Sequence, residues 1–269
     1  MKTKRKSAKR LKRRAIVLLI LALALLALSL AAPLLMPNDP DATDAQSMNL
    51  PPDAEHPLGT DRYGRCVLSR VLAGAETSIF SAVALVLITF IIGTALGMAA
   101  GYFGGVTDIM LAFPQMVLAI AVAGILGGGM VNAMLAMGVS AWTLYARLAR
   151  AQVIALKKEP FVSAARLSGC GSFKVMTKYL LPNMLGPLAV NAATQLGVMM
   201  MGIAGLSFLG IGVAEPQAEW GSMINQGRAY MQLAPWAVLA PAGAMVVTVM
   251  VFNLLGDTLR DLADTEAVK

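Results

Sequence analysis

The sequence predicts an all-α integral membrane protein with about six transmembrane helices. Two observations carry this prediction: the composition of the whole chain and the spacing of its apolar segments. Of the 269 residues, 57% are hydrophobic and only 14% are charged, and the mean hydropathy is +0.68. Soluble domains carry roughly a quarter charged residues. We therefore expect nearly the whole chain to be a membrane domain, without a separate soluble domain.

Six apolar segments are each close to the length that a helix needs to cross the hydrocarbon core of a bilayer. They are residues 15–35, 78–100, 109–126, 130–146, 184–205 and 236–255. The first segment has an alternative interpretation as a cleaved signal peptide, since Leu30-Ala31-Ala32 resembles a cleavage region. Its apolar run exceeds the roughly 7–15 residues of a signal core, which favours an uncleaved first span.

The basic residues predict which ends of these spans face the cytoplasm. Nine of the 22 Lys and Arg residues fall in the N-terminal tail 1–14, seven in the central loop 147–183 and two in the C-terminal tail 258–269. Only four fall in the loops 36–77 and 206–235. Because cytoplasmic loops carry the excess of positive charge, both termini are expected in the cytoplasm. The net charge of +7 therefore indicates topology, and nucleic-acid binding is not expected.

The central loop is predicted to contain two short helices. Pro160 suits the first position of a helix, and Gly169 suits its C-terminal end because glycine readily adopts the left-handed conformation. Ser172 suits the N-cap of a second helix, which we expect to run to Leu181 and to stop at Pro182. A rigid helix that projects into the cytoplasm is one interpretation of this loop. A basic amphipathic loop lying on the anionic membrane lipid is the other.

Polar side chains in the fifth span form a further group. Asn191, Thr194 and Gln195 are three and four residues apart, which places them on one face of a helix. Such residues either line a transport path or form hydrogen bonds between helices. The sequence leaves both alternatives open.

Several classes of protein are disfavoured or excluded. No Lys, Arg, Asp, Glu or His lies within the six predicted spans, which argues against a proton-coupled carrier. The chain contains no G-x-x-x-x-G-K-[ST] phosphate-binding loop, and a single histidine, His56, cannot form an H-E-x-x-H zinc site. We expect His56 to be a loop residue. We also expect no catalytic residue, no bound metal and no directly bound cofactor.

The central loop resembles the coupling loop of ATP-binding-cassette (ABC) importer permeases. The signature of that loop is E-A-A, three further residues, Gly and a later Leu-Pro, and Ser163 here replaces the usual Glu. The resemblance implies that the segment 161–171 docks on a cytoplasmic ATPase subunit. The residues that it assigns to ATPase coupling are Phe161, Ser163, Ala164, Ala165, Arg166, Gly169 and Pro182.

The loop 36–77 contains a longer and more specific motif, HPLGTDRYGRCVLSR, at residues 56–70. It closely resembles the H-x-L-G-T-D-x-x-G-R-D-x-x-S-R motif of the C-type permeases for dipeptides, oligopeptides and nickel, with Cys66 in place of the usual Asp. We call residues 56–70 the outer motif. Its matching residues of interest are His56, Gly59, Thr60, Asp61, Gly64 and Arg65.

This resemblance implies a type I ABC importer permease fold, with the main transmembrane domain at 78–257, in the bacterial inner membrane. It implies a translocation path shared with a second, homologous permease. It further implies two cytoplasmic ATPase subunits, which bind the ATP, and an extracytoplasmic solute-binding protein. The cargo stays open between short peptides and nickel chelates.

Two other functions stay open. Family members carry a longer segment between the glycine turn that ends at Gly105 and the following Ala-Phe-Pro. Roughly eight or nine residues, a little over two helical turns, are missing here, which keeps an inactive membrane scaffold as one alternative. The other alternative, independent of this departure, is a self-sufficient secondary carrier, since sodium coupling through backbone carbonyls needs no ionisable residue in the spans.

Overall fold

The computed structural model describes residues 2–104 and 114–267, and the side chains of residues 10–104 and 114–263. Helices occupy most of the described chain, and a β-bridge between Thr60 and Cys66 is the only strand-like pairing within it. A π-helical turn spans Val175–Leu180, and a 3-10 turn spans Arg228–Tyr230. The α-helices are α1 Lys2–Leu30, α2 Ala32–Leu35, α3 Val67–Phe103, α4 Gln115–Leu126, α5 Met130–Leu156, α6 Pro160–Leu167, α7 Ser172–Lys174, α8 Leu181–Phe208, α9 Trp220–Gly227 and α10 Trp236–Ala267.

Four described helical segments are long and apolar enough to cross a membrane, which confirms the all-α membrane fold. They are Arg10–Leu30, Val67–Phe103, Ser172–Phe208 and Trp236–Ala263. With 27 residues, α5 is also long enough to cross a membrane, but it is more polar than these four segments. The helix α4 has only 12 residues, which is too short to cross the hydrocarbon core. The predicted third span, 109–126, begins outside the described residues. The shortened segment that follows Gly105 also lies outside them.

Two element boundaries differ from the predicted ones. The helix α3 begins at Val67, so the last three turns of the segment assigned to the loop 36–77 are helical. With 37 residues, α3 is about 55 Å long. This exceeds the roughly 30 Å of a hydrocarbon core. The first predicted span, 15–35, is interrupted at Ala31, after which the short α2 begins with a proline in its first turn.

The helices α3 and α5 pack backbone to backbone along a ridge of three glycines, Gly93, Gly97 and Gly101. These residues are four apart and lie on one face of α3. A Cβ atom on Gly97 would overlap the backbone of Ala146, and the two flanking glycines meet the α5 backbone one turn to either side. In a membrane, small residues allow helices to approach this closely. This glycine ridge therefore sets the distance between α3 and α5.

The largest apolar core lies between α3, α5, α8 and α10. Its fully buried side chains include Ile79, Leu85, Met137, Met199 and Ile203. The helix α1 packs mainly against α10 and leaves most of its large apolar side chains exposed. An exposed apolar face of this kind suits a helix that faces lipid tails.

The helix that follows α6 does not stop at Pro182, so that prediction is wrong. Residues Ser172–Phe208 form one continuous helical run, in which Pro182 lies in the first turn of α8. A proline lacks the backbone donor, and its ring collides with the carbonyl four residues earlier. The π-helical turn immediately before Pro182 shifts the hydrogen-bond register there, which lets the helix continue.

Replacing Gly97 with Ala is expected to destabilise the protein, because the added methyl group overlaps backbone atoms of α5 and not a flexible side chain. Overpacking of this kind typically costs about 1–3 kcal/mol. The matched control is Gly243→Ala in α10, where an added Cβ meets no atom of the described residues within 4 Å. That change should stabilise the helix by up to about 1 kcal/mol. Thermal unfolding compares the two variants, and an unchanged melting temperature for Gly97→Ala would contradict the backbone contact.

Candidate functional site

The short helix α6 has one buried face and one exposed face. Pro160 occupies its first position, as predicted. Val162 and Ala165 are 0% and 6% exposed, whereas Leu167 is 90% exposed. Phe161, at the start of the helix, is also exposed, at 39%, so α6 carries two large exposed apolar side chains.

A Schellman motif ends α6, which confirms the predicted glycine end. Gly169 has a φ of +78°, in the left-handed region. Its N–H donates to the Arg166 carbonyl at 3.0 Å, and the Cys170 N–H donates to the Ala165 carbonyl at 3.1 Å. These are the two hydrogen bonds that define the motif. They fix the direction in which the chain leaves α6.

Tyr102, at the C-terminal end of α3, contacts the basic side chains on both sides of the turn into α6. The Lys157 ammonium donates to the Tyr102 carbonyl at 2.8 Å and lies 5.1 Å from its ring centroid. The Arg166 guanidinium carbon lies 5.0 Å from the same centroid. Each such cation–π contact contributes about 0.5–1 kcal/mol at an exposed site. The end of α3 is thereby attached to α6.

An apolar cluster holds the buried face of α6 in place. Val162 belongs to the same cluster of buried side chains as Val153 of α5, Val175 and Leu180 of the π-helical turn, and Leu188 of α8, all of them completely buried. The helix is therefore supported by the two helical segments that precede and follow it. It is a structured projection and not a loosely attached loop.

The structure brings together six of the seven predicted coupling residues. Phe161, Ser163, Ala164 and Arg166 are exposed on α6, and Gly169 directly follows it. Ala165 is instead buried, with 6% of its surface exposed. Pro182 is separated from this group by the π-helical turn and belongs to α8. Contact with an ATPase subunit stays a prediction for all seven.

Asp61 is the centre of the outer motif. Its Oδ1 accepts hydrogen bonds from the backbone N–H groups of Tyr63 and Arg65, at 2.8 and 3.0 Å. Its Oδ2 accepts from Arg65 Nε at 2.7 Å and lies 3.8 Å from Arg70 Nε. The side chain of Arg65 continues to Gln226 of α9, at 3.0 Å from Nη2 to Oε1. The motif thus joins the outer loop to α9.

The outer motif packs against the rest of the loop 36–77 and against α10 through two glycines and a threonine. An added Cβ on Gly64, whose φ is +76°, would overlap the backbone of Asp44. One on Gly59, whose φ is +71°, would lie 2.6 Å from Trp236 Nε1. That indole N–H donates to the Thr60 carbonyl at 2.9 Å. Only glycine adopts these positive-φ conformations without strain. Backbone conformation and close packing together explain why positions 59 and 64 of the outer motif hold glycine.

His56 and Cys66 interact at the start of α3. Cys66 is the N-cap residue of α3 and is 2% exposed. A hydrogen bond with this thiol raises the pKa of the His56 imidazole. Burial raises the pKa of the Cys66 thiol, but hydrogen bonds with Ser69, His56 and Asn38 outweigh burial and lower it overall. In the described residues, no group of three or more His, Cys, Asp or Glu could hold a metal ion.

Glu219 is a completely buried carboxylate whose role the sequence reasoning missed. It caps α9: its two oxygens accept from the Gly221 and Ser222 N–H groups, each at 2.8 Å. The hydroxyl of Ser78 in α3 lies 3.3 Å from Oε1 and accepts from the Trp220 N–H at 3.1 Å. Asp, Asn, Ser and Thr are the usual N-cap residues, so a Glu carries no capping signal. The result is a polar connection between α9 and α3.

The three polar residues of the fifth span lie on α8, as predicted, but two of them bond within that helix. Asn191 Nδ2 donates to the Pro187 carbonyl at 3.0 Å, and Thr194 Oγ1 donates to the Asn191 carbonyl at 2.8 Å. Thr194 also packs closely against Gly256 of α10. Gln195 is half-buried on the same helix. A transport path along these residues stays a prediction.

Comparison with known proteins decides the family. Residues 93–267 match the family described as the binding-protein-dependent transport system inner membrane component. The chain belongs to this family. The permease is 41% identical to the nickel transport system permease protein NikC of Escherichia coli, over 93% of this chain and 94% of that protein. It is 37% identical to the dipeptide transport system permease protein DppC of Alkalihalophilus pseudofirmus, over 97% of this chain and 89% of that protein.

A solved structure also resembles the permease. It is the MetNI methionine ABC transporter in inward-facing conformations, with a TM-score of 0.49 and 19% sequence identity. The match covers 69% of this chain and 94% of that chain.

The permease is therefore a subunit of an ABC importer, and the family inferred from its two motifs is confirmed. The matched residues, 93–267, include the glycine ridge, Tyr102, α6 and the capped helix α9. The outer motif precedes the matched residues.

Glu219→Gln is expected to destabilise the permease by about 1–3 kcal/mol. The new amide NH2 group faces a backbone N–H, so one buried donor at Gly221 or Ser222 loses its acceptor. Glu55→Gln is the matched control, because the side chain of Glu55 is exposed. Thermal unfolding of the two purified variants measures the difference. Equal unfolding temperatures for both would contradict the capping role of Glu219.

Proposed function

We propose that the permease forms one half of the translocation path of an ATP-driven importer in the bacterial inner membrane, with both termini in the cytoplasm. A second, homologous permease completes the path. Two cytoplasmic ATPase subunits bind and hydrolyse the ATP, and one of them docks on α6. An extracytoplasmic binding protein delivers cargo to the loops 36–77 and 206–235.

The construction of α6 is the observation that carries this proposal. Val162 on its buried face belongs to a largely buried apolar cluster, while Leu167 projects with 90% of its surface exposed. A helix held this firmly transmits a push from a bound protein to the elements behind it. A loop that only lay on the membrane surface would not require such support.

The helix α3 provides a physical route from α6 to the outer face. Tyr102 at one end contacts Lys157 just before α6 and Arg166 within it. The other end of α3 bonds to α9 through Ser78 and to the outer loop through Arg70. In the proposed mechanism, closure of the ATPases on ATP moves α6, and α3 carries that movement to the surface on which the binding protein docks.

Leu167→Asp is expected to weaken association with the ATPase subunits at least about tenfold. The interface would have to bury an unpaired charge in place of an apolar side chain. The matched control is Met48→Asp: Met48 is 47% exposed in the outer loop 36–77, away from α6 and outside the predicted spans. Co-purification of tagged permease with the ATPases measures association. Undiminished association of a correctly folded Leu167→Asp variant would overturn the docking assignment.

The cargo is proposed to be a short peptide or a nickel chelate, with the choice made mainly by the binding protein. This proposal rests on the names of two relatives, one a nickel permease and the other a dipeptide permease. Either cargo is compatible with a permease that holds no metal site of its own among its described residues.

ATP hydrolysis by the complex, reconstituted with its ATPases and binding protein, tests both the coupling and the cargo. We expect severalfold stimulation by either nickel chelates or short peptides when each is titrated separately. Stimulation by one of them identifies the cargo class. Uptake by the permease alone without nucleotide would instead indicate a secondary carrier. An intact complex that responds to neither would indicate an inactive scaffold.

A further inference from the structure

A large apolar side chain is exposed at the start of the helical run that follows α6. Phe173 is the second residue of the run Ser172–Phe208 and is 76% exposed. The next two residues of the run, Val175 and Met176 after Lys174, are by contrast buried. Phe173 therefore leaves its ring uncovered, although exposing apolar surface to water is unfavourable.

Lipid does not cover this ring when the predicted fifth span, 184–205, occupies the bilayer. Those 22 residues measure about 33 Å as a helix, which fills the roughly 30 Å of the hydrocarbon core. Phe173 precedes the span by 11 residues, or roughly 15 Å along the helix axis. The polar headgroup layer on each side is only about 5–8 Å thick. The ring thus lies beyond the lipid, where a protein partner is needed to cover it.

Phe173 and the exposed Leu167 of α6 are held in fixed positions relative to each other. Between them lies the Schellman motif at Gly169, whose two hydrogen bonds set the direction of the chain. Behind them, Val162 of α6 and Val175 of the following run belong to one cluster of buried side chains. A single rigid partner can therefore contact both exposed side chains at once.

Two exposed lysines follow Phe173, and their charges are not compensated within the chain. Lys174 and Lys178 are four residues apart, so they are neighbours on the surface of the helical run. In the described part of the chain, neither takes part in an ion pair. Glu159 is the single acidic residue between positions 147 and 183. Like charges at this spacing destabilise a helix, and carboxylates on a partner would remove that repulsion.

We propose that Phe173, Lys174 and Lys178 form a second contact for the ATPase subunit that binds α6. Phe173 enters an apolar pocket of that subunit, and the two lysines meet carboxylates on the rim of the pocket. The groove that receives α6 is thus extended by an apolar pocket with an acidic rim. This inference rests on the proposed function, because it names the chemistry of the partner at the same end of the permease.

Phe173→Asp tests the apolar contact, with the full complex reconstituted in nanodiscs of neutral lipid. We expect association with the ATPase subunits to weaken at least about tenfold, since the pocket would have to bury a charge. An Asp suits the first turn of a helix, so the variant keeps its local structure. Met48→Asp in the outer loop is again the matched control and should bind normally. Undiminished association of Phe173→Asp would overturn the second contact.

The double variant Lys174→Glu/Lys178→Glu tests the acidic rim. We expect at least about tenfold weaker association, because like charges would face each other across the contact. Association of the wild type should weaken as salt rises, and that of the variant should weaken less. Lys174→Arg/Lys178→Arg is the matched control, since it keeps both charges. In neutral lipid, anionic headgroups cannot cause the difference, so undiminished association of the Glu variant would assign these lysines to the lipid surface instead.

Comparison with Leu167→Asp separates this inference from the proposed function. Weakened association of Leu167→Asp, with normal association of Phe173→Asp and of the Glu variant, would overturn the second contact and leave the docking of α6 intact. Normal association of Leu167→Asp would overturn the docking of α6 itself. Weakened association of all three variants, each with the melting temperature of the wild type, is the result that we expect.

Discussion

The contact between α3 and α5 excludes side chains from the space between the two backbones. Three glycines on α3 face main-chain atoms of α5 at successive turns, so the distance between the helices is set by the backbones themselves. At such a distance, weak Cα–H···O contacts and dispersion act along the whole ridge. Tyr102 at one end of α3 and Ser78 near the other keep their positions because this contact fixes the helix between them.

The outer end of the permease is held by polar interactions more than by apolar packing. Asp61 accepts backbone and guanidinium hydrogen bonds at once, and Glu219 is completely buried with both oxygens occupied. Buried charges are costly unless they are fully paired, so such a network is sensitive to the position of every member. This explains why the outer motif combines positive-φ glycines with charged residues. The glycines allow the tight turns that bring the charged side chains into hydrogen-bonding distance of each other. Arg70 is the exception at this end, because its Nε and Nη2 have no hydrogen-bond partner among the described residues.

How far the sequence predicted the structure depends on whether local or distant contacts decide each feature. Pro160 and Gly169 act within one helical turn, and the limits of α6 followed from them closely. Pro182 was misjudged because a π-helical turn formed by other residues lets the helix continue. The close packing at the glycine ridge arises only because α5 is the neighbouring helix. The connection that Glu219 makes to α3 depends on Ser78, which lies about 140 positions earlier in the chain. Neither pairing leaves a signal within a short stretch of sequence.

The four-residue spacing of the glycine ridge has a consequence for how the permease changes shape. A partial slide of α3 along α5 would bring Cβ atoms against the backbone, and the next register that again aligns glycines is one repeat away, about 6 Å. We therefore expect the two helices to move together as a rigid body. In that case, rearrangement falls on the contacts that α8 and α10 make with this pair. There, methionines such as Met199 and Met200 can change rotamer and repack without leaving a gap.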